Sequence, residues 1–133
     1  AGFELAIASS FRSFERQRAI WNAKACGARP VHDDVGCAID MARLDPAQQL
    51  RAILRFSALP GASRHHWGTD LDVYDAAAVA PGYQLRLSPE EVADEGVFGP
   101  LHRWLDGRMA AGRSHGFYRP YGVDRGGVAG DRG

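Results

Sequence analysis

Ser63 to Asp75, SRHHWGTDLDVYD, sets two adjacent histidines, a turn glycine and three acidic residues in a loop that runs into a strand. His65 and Asp72 are seven positions apart. In the alternating run that follows, Asp70, Asp72 and Tyr74 share one face of an extended chain and Leu71 and Val73 share the other. A strand with acids on one face must turn them toward water, a cation or a partner. Gly68 lets the backbone fold tightly enough to bring the imidazole back over the carboxylate face. His nitrogen and Asp oxygen suit zinc, which takes both at roughly 2.0–2.2 Å. A His–Asp pair also serves as a hydrogen-bonded structural pair, and the two residues alone leave both readings open.

The flanking chain reads as a mixed domain. Leu5 to Ala8 reads as a short buried strand, and Ser13 caps a helix with Phe14, Gln17, Ile20 and Trp21 on one stripe, stopped at Gly27. Residues 31–41 look extended and broken by a turn at Asp33 to Gly36. Asp45-Pro46 opens a second helix with Leu50, Ile53 and Leu54 inward. Tyr83 to Leu87 alternates as a strand does, and Ser88, Pro89 and Glu91 have the spacing of a capping box. Glycines at 96 and 99 interrupt that helix, Leu101, Trp104, Leu105 and Met109 face inward on a further one, and Gly116 to Tyr121 reads as a short aromatic strand. The expected class is α+β, a mainly antiparallel sheet with flanking helices.

The chain's 133 residues are the length of one domain, and 16 basic residues balance 16 acidic ones. No global field therefore favours nucleic acid or an anionic membrane. No apolar run approaches the roughly 18 residues of a membrane span, and the start shows neither a signal peptide nor an initiator methionine. Cys26 and Cys37 either pair across a hairpin or stay free; their spacing decides neither. Arg12 stands at the entrance of the first helix, where the macrodipole opposes a cation and an anion would relieve it. Pairing with a nearby acid would serve as well.

The central stretch resembles the SxHxxGxAxD signature of zinc D-alanyl-D-alanine carboxypeptidases and dipeptidases, the VanY-like and VanX-like enzymes of the lysostaphin and hedgehog-type fold. Ser63, His65, Gly68 and Asp72 fall on it, with Asp70 in place of the usual alanine. SSFRSFERQ near the start resembles the family's SGYRSYExQ segment. GFYRPYGVDRGGVA near the end resembles the approach to its last motif. That motif is normally Glu-x-x-His or Glu-x-Trp-His, supplying a general base and a third ligand, and after Val128 this chain reads AGDRG.

The resemblance implies Zn2+ bound through His65 and Asp72, with Arg12 reading a substrate carboxylate and Gln17 and Ser63 beside the substrate. It implies a bacterial hydrolase of the cell envelope or periplasm, acting on peptidoglycan stem peptides or D-Ala-D-Ala peptides. Residues 1–133 are expected to be one peptidase-like core domain, incomplete at the C-terminus, with an incomplete N-terminus as the alternative to a whole one. His115, Asp124 and Asp131 are the substitutes considered for the third ligand, and His66 is not expected to be one because neighbouring side chains point apart. The rival reading is a truncated or degenerate, non-catalytic relative that binds cell-wall peptides.

Overall fold

The computed structural model describes residues 2–120. Its frame is a two-stranded antiparallel sheet of β1 (Leu5–Ser9) and β2 (Asp72–Asp75), with helices α1 (Phe14–Ala25), α2 (Pro46–Leu54), α3 (Pro89–Val92) and α4 (Gly99–Ala110). The register pairs Leu5 with Asp75, Ala6 with Tyr74 and Ile7 with Val73, then jumps so that Ser9 stands opposite Asp72. Ala8 is thus the extra residue of a β-bulge, a device that re-aims the side chains after it. Its effect here is to set Ser9 beside the signature aspartate.

Caps define the helices as their sequences suggest. The Ser13 hydroxyl accepts from the Arg16 amide at 3.1 Å. Asp45 and Gln48, and likewise Ser88 and Glu91, close reciprocal capping boxes with proline at the first position. The core gathers Phe98, Leu101 and Val92 from the C-terminal helices and their junction, with Ile53 and Val31 nearby in the chain's first half. Phe98 is wholly buried and meets Tyr74 and Tyr83 edge-on at centroid distances of 5.9 and 6.3 Å. Such edge contacts add about 0.5–1.5 kcal/mol beyond burial.

Several expectations require correction. β1 is a strand but not a buried one: Leu5 and Ile7 are 57% and 61% exposed, because a two-stranded sheet covers only one of its faces. Tyr83 to Leu87 forms no strand; the Leu85 amide turns back to the Tyr83 carbonyl, and Leu87 takes a left-handed φ of 53°. Residues 116–120 form no strand either, and Tyr121 lies outside the described residues. The 31–41 segment folds as expected into extended pieces about a turn, bridged between His32 and Ala38. The Asp33 carboxylate holds that turn by accepting from the Val35 and Cys37 amides. Cys26 and Cys37 are both free.

Candidate metal and peptide site

The signature folds as a single 3-10 turn over Arg64–Trp67 that ends on Gly68 at φ 71°, a left-handed conformation glycine adopts without steric cost. Two contacts clamp this turn to the start of α1. The Arg12 amide donates to the His65 carbonyl at 3.0 Å. His66 then bridges in the other direction: its Nε2 accepts from the Gly61 amide at 3.0 Å, which leaves Nδ1 to donate to the Arg12 carbonyl at 2.6 Å. His66 is therefore the staple that fixes the loop, as its exclusion from the ligand set requires.

His65 turns the opposite way, its Nε2 standing 3.2 Å from Asp72 Oδ2, with both side chains nearly buried. The hydrogen bond with Asp72 raises the His65 pKa above its usual value, burial opposes this, and a backbone contact from Asp70 adds to it. The acids of the stretch divide by role. Asp70 is engaged by Arg64 in a two-pronged pair at 2.7 and 3.1 Å. Asp75 is buried and ties the strand ends by accepting from the Glu4 and Ala77 amides. The expected face of three outward groups is thus not observed: only Asp72 meets His65, because regular pairing begins at Asp72 and the chain before it is irregular. Leu71, expected inward, is 37% exposed for the same reason.

Arg12 is held by neutral partners. One guanidinium nitrogen donates to Gln17 Oε1 at 2.9 Å and another to Ser9 Oγ at 2.7 Å. Burial lowers its pKa, while the charge of Asp72 works in the opposite sense. Gln17 is fully buried, and its amide nitrogen donates to the Ala58 carbonyl at 2.6 Å. Its expected place beside substrate becomes a place behind Arg12, since a wholly buried side chain has no surface to offer a peptide. Ser63 is 4% exposed and its side chain makes no cap bond. Ser63, Arg12, His65 and Asp72 line one cleft of about 970 Å³, at the upper end of the volumes that hold drug-sized ligands.

The His65–Asp72 geometry matches half of a zinc site. Two donors each about 2.0–2.1 Å from a tetrahedral centre lie about 3.3–3.4 Å apart, and the observed 3.2 Å needs only slight spreading. His65 Nδ1 is buried without a hydrogen-bond partner among the described residues. A proton on Nδ1 is the tautomer that leaves Nε2 free as a metal donor. Among the described residues no group of three His, Cys, Asp or Glu side chains gathers to hold a metal. His115, one proposed substitute, is exposed on a turn after α4 at φ 55° and does not line the cleft. Asp124, Asp131 and the ending after Val128 lie outside the described residues.

The supports behind the site were missed from sequence. Ser9 carried a signal only as a serine beside the first strand, and nothing in local spacing announced the bulge that aims it. The His66 bridge needed the tertiary approach of Gly61 to α1.

The family model described as VanY: D-alanyl-D-alanine carboxypeptidase matches residues 1–130. Two uncharacterized proteins of Haemophilus influenzae are similar in sequence. One is 60% identical over 58 residues, 44% of this chain and 40% of that protein. The other is 40% identical over 47 residues, 35% and 36% of the two. Among solved structures, VanYB in complex with D-alanine-D-alanine shares the fold at a TM-score of 0.61 and 21% identity, over 98% of this chain and 57% of that one. A mutant of the vancomycin-resistance D,D-pentapeptidase VanY in complex with Zn(II) gives 0.59 and 22%, over 98% and 58%. The chain thus spans about two-fifths of the curated relatives it matches and somewhat over half of the solved ones.

Proposed function

The chain belongs to the VanY D-alanyl-D-alanine carboxypeptidase family, and we propose that its cleft serves zinc-dependent removal of the last residue from peptides ending in D-Ala-D-Ala. The observation that carries this reading is the His65–Asp72 pair at near-tetrahedral spacing in the same cleft as Arg12. The solved relatives bound to the dipeptide and to Zn(II) support it.

His65 Nε2 and Asp72 Oδ2 would hold the ion, which when bound supplies Lewis-acid polarisation of the scissile carbonyl. The chain's own residues do the rest of the positioning. Arg12 is fixed by Ser9 and Gln17, so binding a carboxylate costs it little side-chain freedom. Its hydrogen-bond partners are neutral, and a peptide carboxylate would add a paired counter-ion to the charge of Asp72 that already acts on it. Ser63, nearly buried on the cleft wall, is placed to orient the peptide backbone. The substrate class is the D-residue end of a peptidoglycan stem peptide, and the place of action is the bacterial cell envelope.

The test is D-alanine release from a peptide ending in D-Ala-D-Ala, by the full protein, with zinc and with a chelator. Zinc-dependent release, lost on Arg12→Ala, is expected. Zinc-dependent binding of the peptide without release would favour the binding-module alternative. Equal affinity for acid and amidated peptides would remove Arg12 from the site.

A further inference from the structure

The cleft continues well beyond the groups just described. α1 runs along its wall, and the helix is about 18 Å long at 1.5 Å per residue. Its start is clamped to the signature through Arg12, while Lys24 stands in its last turn and Arg29 follows closely, the Arg29 amide bonding the Ala23 carbonyl. The order along the wall is therefore the His65–Asp72 pair, then Arg12, then Lys24 with Arg29, and the side chains close most of the helix's length: Arg12 reaches Gln17, whose amide meets the Ala58 carbonyl, while the Lys24 ammonium meets the hydroxyl of the adjacent Ser57.

This wall is positive although the chain is neutral. Among the described residues lining the cleft, five are cationic (Arg12, Lys24, Arg29, Arg64, Arg86) and three are acidic (Asp33, Asp70, Asp72), so these acids do not neutralise it. All three acids are also engaged, Asp33 by backbone amides, Asp70 by Arg64 and Asp72 by His65. Among the described residues, Lys24 has only the Ser57 hydroxyl, which accepts from its ammonium at 2.6 Å, and neither Lys24 nor Arg29 has an acid within salt-bridge distance. Burial lowers the Lys24 pKa, and the charges of Arg29 and Arg12 lower it further. Cations with no acid of the described residues in reach repel one another, most strongly where one is half-buried as Lys24 is, and an anion relieves them.

We propose that Lys24 and Arg29 form an anion subsite beside Arg12 on this wall. It takes a second carboxylate, carried by the side chain of a peptide's C-terminal residue whose main-chain carboxylate lies on Arg12. The ligand class is a peptide ending in an aminodicarboxylic residue. An acidic side chain sets its carboxylate on the order of 5 Å from the main-chain one, a few bond lengths away, and directs it past Arg12, away from His65 and Asp72. This rests on Arg12 reading the peptide terminus, and the experiment separates the two.

Calorimetric affinities are measured for three acetylated peptides identical except for a final D-Ala, D-Gln or D-Glu. Glutamine matches glutamate in shape, so their ratio reports charge alone. The wild type binds the D-Glu peptide about fivefold more tightly than the D-Gln peptide, the upper range for partly exposed ion pairs. That ratio falls to near one in Lys24→Gln and Arg29→Gln and persists in Lys24→Arg. Arg43→Gln, whose side chain pairs with Asp40 on the exposed surface, keeps the wild-type ratio. A wild-type ratio of one with sound binding of the D-Ala peptide overturns the subsite alone, as does a ratio that survives both glutamine variants. Failure of all three peptides to bind overturns the reading of Arg12, and the subsite with it.

Discussion

Replacing Gln17 by alanine removes a side chain that is wholly buried and joins two parts of the molecule, the Arg12 guanidinium and the Ala58 carbonyl. The carbonyl then loses a donor in a site water reaches poorly, at about 1–3 kcal/mol, and Arg12 loses a charge-assisted bond worth about 1.5–3 kcal/mol. These losses overlap, and some relaxation follows, so a net destabilisation of about 2–4 kcal/mol is expected in urea unfolding. Stability alone would not show what the residue is for. With one of its two anchors gone, Arg12 should lose about tenfold of its preference for a free over an amidated peptide terminus. Gln17→Glu keeps an acceptor for Arg12 but cannot donate to Ala58, whereas Gln17→Met keeps bulk and loses both bonds. Glutamate also puts a carboxylate on Arg12 in competition with the peptide's, so it should lower the acid preference while keeping the guanidinium in place, whereas methionine should lower it by releasing the guanidinium. A destabilised Gln17→Ala protein with undiminished preference for the acid peptide would refute a positioning role and leave Gln17 as core.

Gly96→Ala should destabilise by about 3 kcal/mol or more, since a Cβ there collides with the Glu90 and Glu91 carbonyl oxygens. Gly107→Ala, in α4 with open space around it, should stabilise by about 0.4–1 kcal/mol; thermal melts of the two check both signs. The metal-free protein should show a pH-dependent contribution from His65, whose folded pKa is raised chiefly by its hydrogen bond with Asp72. That contribution is fully present below the unfolded value of about 6.5 and is lost as pH rises through the folded value. A melting-temperature profile that is the same in wild type and His65→Gln across that window would contradict it.

The caps and the first two long helices were legible because their signals are local: Ser13, Asp45-Pro46 and Ser88-Pro89 each meet their amide partners within three residues. The strands expected at 83–87 and over 116–120 do not form, for the converse reason. Alternation such as that of Tyr83 to Leu87 specifies a strand only where a partner edge exists, and here Glu91 draws the segment in by bonding the Tyr83 hydroxyl and the Arg86 amide. His65 and Asp72 could be named through the resemblance of their stretch to a family signature, and their 3.2 Å approach could not be read from sequence. It depends on a bulge at Ala8 and a clamp through His66, both products of tertiary contact. Nothing in the sequence singles out Lys24, because its meaning lies in Arg29 and Ser57, neither of them neighbours on one helix face.

Zinc affinity, measured by competition with a chromophoric chelator on the full protein, bears most directly on the central assignment of His65 and Asp72 as metal donors. The wild type should bind one equivalent, and His65→Ala and Asp72→Asn should each weaken it at least tenfold, while His66→Gln, which alters the loop staple and not the donor pair, weakens it less. Equal zinc retention by wild type, His65→Ala and Asp72→Asn would show that the pair is a structural hydrogen bond and that the metal site lies elsewhere.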